Sequence, residues 1–353
     1  MKEIQINEII GNEILAKPVF SDQGIMLVEK GMKVRKPNAI IFKELGIKSI
    51  FVEDEPASEV EYSEILQEET KNDCKKMLTD IVKMQTNHNQ QEEEDLVYEV
   101  AQELIDDILS QDDILINVSE MRNRDDSIFS HCVAVAGLTV YVSLKMGISN
   151  GVAREFTVGA LLHDIGMNFI PSQYRNKSLK ELNRKEISVI KKHVDYGYEL
   201  LMEKDVVSDI SLEIIKNHHE RVNGSGYPNQ IKGKEIDLGS RIVSVCDTFD
   251  AMIYDGNRDM KVYEVVEYIQ SNSNILFDEK VVSHFLDCIA LYPTGSKIIT
   301  NEGQVGVVIK QNKGFPARPI IAVKTDKNGQ EMVLPVKMDL MKIFHIFIVE
   351  VIA

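Results

Sequence analysis

Val158-Gly159-Ala160-Leu161-Leu162-His163-Asp164-Ile165-Gly166 is an apolar, helix-like run that ends on an imidazole beside a carboxylate. Burying both groups at the end of such a segment is costly unless they are paired or metal-bound. A single His-Asp pair decides little, and its force comes from its surroundings. His131 lies upstream, and His193 stands at the end of the helix-like stretch Ile187–Lys192. His218-His219 closes another helical stretch, and Asp247 directly follows the mostly apolar Ile242-Val243-Ser244-Val245-Cys246. Of eight histidines, five fall between residues 131 and 219. One buried histidine satisfied by a backbone carbonyl is an ordinary core feature. Five histidines with two aspartates in one helical region are better explained as ligands. Imidazole and carboxylate without thiolate suit first-row metals such as iron, manganese or zinc. Seven ligands exceed one tetrahedral site, so two metals sharing a bridging carboxylate is the simplest arrangement. Two metals about 4 Å apart can hold a hydroxide as nucleophile and stabilise charge on a phosphoryl oxygen.

Working outward, the pattern is helical from Glu64 to about Gln270. Leu96, Val100, Leu104 and Ile108 recur at four-residue spacing beside Val97, Ala101 and Ile105, which makes one broad apolar face. The polar stretch Thr86–Glu94 reads as a mobile connection. Before this region, Ile14–Phe20, Ser21-Asp22-Gln23-Gly24 and Ile25–Val28 predict a hairpin, Lys36–Leu45 a short helix opening at Pro37, and Ile47–Val52 a strand. The Glu-rich segment 53–70 reads as a solvated linker. After Tyr292-Pro293-Thr294-Gly295, alternating runs at Lys297–Thr300, Val305–Ile309, Ile320–Lys324 and Met332–Val336 predict a small β-barrel-like module. The expected class is therefore mainly α. An N-terminal α+β regulatory module (1–58), a helical linker and dimerisation region (59–125), a helical metal-binding core (126–290) and a C-terminal β module (291–353) follow in order. The early helices serve dimerisation or signal relay, which allows a homodimer, or merely complete the core.

Composition narrows the partners. With 40 Lys and Arg against 56 Asp and Glu, the chain of 353 residues carries a formal charge of −16. That excess argues against a nucleic-acid polymer, which needs a cationic face. Cys74, Cys132, Cys246 and Cys288 form no CxxC pair and read as buried thiols of a reducing compartment. The N-terminus lacks the apolar core of a signal peptide, and no apolar run approaches the roughly 18 residues that cross a membrane. These features predict a soluble cytoplasmic protein.

His218-His219-Glu220-Arg221-Val222-Asn223-Gly224-Ser225-Gly226-Tyr227-Pro228 is the second decisive stretch. Two glycines around a serine, then Tyr-Pro, predict a tight exposed loop behind the histidine pair. Glu220-Arg221 reads as a solvated surface pair. His163-Asp164-Ile165-Gly166, followed about 55 residues later by His-His-Glu-Arg-x-x-Gly-x-Gly-Tyr-Pro, resembles the HD-GYP family of cyclic dinucleotide phosphodiesterases. The likeness runs from Ser127 to Leu286 and takes in Ile170-Pro171, Asn176-Lys177, His193-x-x-x-Gly197, and Arg241-Ile242 leading to Asp247 and Asp250-Ala251. The resemblance implies an HD-type helical bundle in which His131, His163 and Asp247 hold one metal and His193, His218 and His219 the second, with Asp164 as bridge. It implies iron or manganese as the metals. Ser127, where three-metal members carry Glu, implies two metals. His163 and Asp164 are the implied catalytic residues, Arg258, Tyr227 and Lys177 the implied substrate contacts, and Gly224, Gly226, Tyr227 and Pro228 a loop that meets a partner such as a diguanylate cyclase domain. The implied reaction is hydrolysis of cyclic di-GMP to pGpG and GMP by a hydroxide bridging the metals.

Two positions depart from the family pattern. Met167 stands where Lys usually follows His-Asp-x-Gly, and Gly256-Asn257-Arg258-Asp259 replaces the usual Arg-Pro-Tyr-Arg. Each lost charge-assisted phosphate contact is worth about 1.5–3 kcal/mol. The metal set is complete while the phosphate clamp is depleted. That leaves a phosphodiesterase as the leading reading, and a weak or inactive regulator that binds metal and a nucleotide or protein as the alternative. A metal-dependent phosphatase with another phosphate ester as substrate shares the same chemistry.

Overall fold

The computed structural model describes residues 2–20, 26–45, 47, 49–52, 66–83, 90–110, 128–175, 181–254, 260–312 and 314–352. The turn at Ser21–Gly24, most of the Glu-rich linker, Ser127, Lys177 and Gly256–Asp259 (with Arg258) lie outside the described residues. The chain divides into two compact units, residues 64–291 and a unit made of residues 1–63 with 292–353.

In the N-terminal segment β1 (Lys2–Gln5), β2 (Val19–Phe20), β3 (Met26–Val28), α1 (Lys36–Glu44) and β4 (Ser49–Val52) follow in order. β1 pairs antiparallel with β4, Lys2 opposite Val52, and β2 with β3, Val19 opposite Val28. Pro37 sits in the first turn of α1, where its missing N–H costs nothing, and Asn38 Oδ1 accepts from the Arg35 N–H at 2.8 Å. Ile4, Leu15, Val34, Phe42 and Ile50 form the core of this segment.

The helical unit runs α2 (Glu68–Lys83), α3 (Gln90–Leu109), α4 (Ile128–Lys145), α5 (Asn150–Leu162), α6 (Ser172–Arg175), α7 (Arg184–Ile190), α8 (His193–Lys204), α9 (Asp209–Asn217), α10 (Leu238–Tyr254), α11 (Val262–Ser271) and α12 (Glu279–Cys288). α3 begins at Gln90, so the second half of Thr86–Glu94 is helix rather than connection. Glu93 is buried there because Lys204 of α8 meets it at 2.8 Å. α4 corrects another expectation, because by length and composition it is apolar enough to cross a membrane. Every residue from Ser130 to Ser143 is buried among neighbouring helices, as expected of a helix that is apolar all round. It packs against α5, α10, α2 and α12 and forms the axis of the unit.

Asp278 fastens the far side of α10. Its Oδ1 accepts from the N–H groups of Lys280 and Val281 at the start of α12, and its Oδ2 accepts from Arg241. Burial raises the Asp278 carboxyl, but Arg241 and those N–H groups hold it below its ordinary value. A depressed carboxylate contributes stability above the unfolded pKa that is lost as pH falls through the folded one. Asp278→Ala is expected to cost about 1 kcal/mol at pH 7. The loss should shrink below about pH 4, as urea unfolding at the two pH values will show.

After the helices come β5 (Lys297–Thr300), β6 (Val305–Lys310), β7 (Ile320–Thr325), β8 (Glu331–Asp339) and β9 (Ile348–Ile352). They form one antiparallel sheet in the order β8-β7-β6-β5-β9. The order has two ends, β8 and β9, so the barrel-like closure expected from the sequence is not made among the described strands. At the β8 end the pairing passes from Val323↔Val336 to Thr325↔Glu331, which bulges residues 332–335 away from β7. That bulge and Pro335 blunt the edge against further pairing.

Candidate metal centre

Three histidines use one local device. His163 caps α5, His218 caps α9, and His193 follows α7 and opens α8 rather than ending a helix. Their Nδ1 atoms lie 2.7, 2.8 and 3.0 Å from the carbonyls of Ala160, Ile190 and Ile215 respectively for His163, His193 and His218, each three residues back. A carbonyl only accepts, so Nδ1 carries the proton and donates to an oxygen that the helix end leaves unpaired. The tautomer is thereby set, and each Nε2 turns a lone pair inward.

Those lone pairs converge on Asp164, which follows His163 and precedes the 3-10 turn Ile165–Phe169. Asp164 Oδ1 is 3.2 Å from His193 Nε2 and 3.9 Å from His218 Nε2. Its Oδ2 is 3.7 Å from His163 Nε2 and 3.9 Å from His131 Nε2. On the opposite side, Asp247 of α10 reaches His131 Nε2 at 3.2 Å and His219 Nδ1 at 3.6 Å. All seven residues singled out from the sequence are thus brought into one cluster. Two groups within it have ligand atoms close enough for a shared ion: His131, His163 and Asp164, and Asp164, His193, His218 and His219. Asp164 belongs to both.

The cluster fits divalent-metal binding on its own geometry. His163 Nε2 is buried with no hydrogen-bond partner. His193 and His218 set their Nε2 atoms 3.4 Å apart, two lone pairs facing each other, which a cation between them would relieve. Burial first, then the neighbouring His163 and His193, push His218 down to about 3. Burial and His218 likewise push His219 well below its ordinary value, so both imidazoles are neutral donors. Burial alone would raise the carboxyl of Asp164, but the surrounding imidazoles hold it low. Asp247 is held well below its usual range against burial, chiefly by His131 and His219.

Asp250, one turn beyond Asp247, was given no role from the sequence. Its Oδ2 lies 2.6 Å from His131 Nδ1, so it accepts that N–H and leaves His131 Nε2 for the cluster. Against the pull of burial, Asp247 and Asp250 raise His131 to about 10, so without a metal it stands as an imidazolium between two carboxylates, and a metal ion would take the place of its Nε2 proton. The spacing was a readable signal, since residues three apart share a helix face. Asp250→Asn is expected to weaken metal affinity about 10- to 100-fold while the fold persists, and metal titration of the variant will test it.

The Gly-Tyr-Pro loop is less exposed than expected. Gly226 is buried, and a Cβ there would come within 2.5 Å of the backbone of His219, Glu220 and Arg221. Gly224 and Pro228 are half-buried, while Asn223 and Ser225 are exposed. The Tyr227 ring stacks on His219, centroids 4.7 Å apart. Glu220 and Arg221 are not a solvated pair. Glu220 is 1% exposed, and its Oε1 accepts from the N–H groups of Asn229 and Gln230 at 2.6 and 2.8 Å. Arg221 donates to Ser244 and Thr248 of α10 and lies over the Phe277 ring, tying the loop to the helix that carries Asp247. Of the remaining expected contacts, Tyr227 is at the cluster, while Lys177 and Arg258 lie outside the described residues. Met167 is half-buried in the 3-10 turn, its N–H on the Asp164 carbonyl at 2.9 Å.

Fold and cluster together define a helical domain built around a histidine and aspartate cluster that fits divalent metals. A family model described as HD domain matches residues 76–281, more than half of the chain, and one described as KOW domain associated with HD domain matches residues 298–353. The chain belongs to the HD domain family. It is 29% identical over 218 residues to a cyclic di-GMP phosphodiesterase of Pseudomonas aeruginosa, an alignment that covers 60% of this chain and 52% of that protein. It is 33% identical over 185 residues to a cyclic di-GMP phosphodiesterase of Thermotoga maritima, covering 50% of each. The chain spans about half the length of these curated relatives. Among solved structures, an HDG"Y"P protein from Bdellovibrio bacteriovorus shares the fold with a TM-score of 0.57 at 19% identity, covering 81% of this chain and 98% of that one.

Proposed function

We propose that this chain hydrolyses a phosphodiester bond of a cyclic dinucleotide, with cyclic di-GMP as the first candidate. The observation that carries the reading is Asp164, whose two oxygens each face a different pair of imidazoles. In this reading His131, His163 and Asp247 would hold one divalent metal, His193, His218 and His219 would hold a second, and Asp164 would serve both. Iron or manganese suits these donors. Such metals, when bound, lower the pKa of water and offset charge on a phosphoryl oxygen.

The chain's own residues position that chemistry. The carbonyls of Ala160, Ile190 and Ile215, together with Asp250, aim the imidazoles. Burial and the nearby Asp164 and Asp247 hold the Tyr227 phenol well above its usual pKa, so it stays a neutral O–H donor at the rim. In the net reaction a water oxygen bonds to phosphorus, the bond from phosphorus to O3′ breaks, and the ribose oxygen takes up a proton. Lys177 and Arg258 are kept as substrate contacts on the sequence pattern alone. The exposed Asn223 and Ser225 would be the part of the loop that meets a cyclase-type partner, and four buried free thiols support a cytoplasmic setting.

Two sequence positions favour the regulator reading: Met167 puts a thioether where a phosphate-facing ammonium is usual, and Gly256 stands where an arginine is usual. The two readings part in one experiment. Protein loaded anaerobically with Fe(II) or Mn(II) is incubated with cyclic di-GMP or cyclic GMP-AMP, and products are separated by chromatography. Linear dinucleotide or mononucleotide supports the phosphodiesterase. Bound nucleotide without product, at full metal loading, supports the regulator.

A further inference from the structure

Lys191 follows the last residue of α7, two positions before His193, and its side chain is exposed. Its Nζ lies 4.6 Å from the centroid of the Tyr227 ring. That ring stacks on His219 and stands edge-on to His193 at 6.4 Å. The ammonium is thus held on an aromatic surface that leans on two residues of the metal cluster. Among the described residues no carboxylate pairs with it. Four other cations of the unit are already committed. Lys204 is paired with Glu93, Lys216 with Asp195 and Arg241 with Asp278, and Arg221 is bonded to Ser244 and Thr248. An aromatic ring orients an ammonium without cancelling its charge, so Lys191 keeps its full attraction for an anion. A chain of net charge −16 that admits an anionic phosphodiester needs such a charge at its entrance.

We propose that Lys191 is a phosphate-binding cation of this site, meeting the substrate from the Tyr227 side and supplying the charge that Met167 does not. The proposal rests on the reading of the substrate as a phosphodiester. It requires no covalent step, only a charge-assisted contact to a phosphate oxygen.

The test uses the full chain loaded with Mn(II), with K191M and K191R beside the unsubstituted protein. Metal per chain, thermal midpoint and the Kd for cyclic di-GMP at two salt concentrations are measured for each. K191M should keep its metal and its midpoint, bind cyclic di-GMP about 10- to 100-fold more weakly, and show a shallower salt dependence. K191R should restore binding to within about threefold, because it returns the charge. A lysine that only packs would lower the midpoint and leave Kd and its salt dependence unchanged, and that result overturns the proposal. Should the unsubstituted protein bind no cyclic dinucleotide, the substrate reading fails separately, and inorganic phosphate becomes the probe. K191M must then weaken phosphate binding. Phosphate binding that is absent, or equal in both proteins, rejects the role of Lys191.

Discussion

Asp164→Ala is expected to lower turnover of a cyclic dinucleotide by at least about a thousandfold, roughly 4 kcal/mol of barrier. The reason is geometric. Asp164 is shared by both candidate ligand groups, and its two oxygens lie 3.2–3.9 Å from four different imidazoles. Removing the carboxylate takes a donor from both groups and the negative charge that would hold two cations near each other. Metal per chain should fall with activity. The fold should survive, because the imidazoles keep their carbonyl partners. Asp164→Asn, which keeps the shape but loses the charge, should fall between the two. A variant that binds metal and turns over like the unsubstituted protein would remove Asp164 from the centre of the account.

The second large effect is expected at Gly166. A Cβ at this position would stand 2.0 Å from the His193 carbonyl oxygen and 2.6 Å from the Gly197 nitrogen, both backbone atoms that no rotamer change can move. Gly166→Ala must therefore push the 3-10 turn away from α8, which carries His193 past Asp164. We expect a loss of about 3 kcal/mol or more in urea unfolding, with depleted metal in the folded fraction. Gly151→Ala in α5 is the control. A Cβ there meets nothing within 4 Å, and its effect should stay within about 1 kcal/mol.

The cluster was legible because its chemistry is written in local signatures. Imidazoles that follow apolar helical runs, and a carboxylate beside one of them, can be read without knowing how the helices pack. The supporting contacts were harder to read because they depend on tertiary placement. Asp250 matters through His131, which is 119 residues away. Glu220 and Arg221 look like surface charges in a string and become buried because the loop folds back onto them and onto α10. The same limit explains α4, whose composition alone does not separate a bundle axis from a membrane helix. In the C-terminal module the alternation located four strands, but β9 and the open order of the sheet depend on pairing between β5 and the end of the chain. Gly166 was visible only as part of a motif; its steric role required the 3-10 turn and α8 to be placed together.

Two metals shared by Asp164 can be counted directly, as the number of ions retained per chain after anaerobic loading with Fe(II) or Mn(II) and removal of excess, compared with Asp164→Ala. Two ions per chain are expected, falling to one or none in the variant. One ion or none in the unsubstituted protein, or two in both, would contradict a pair shared by Asp164.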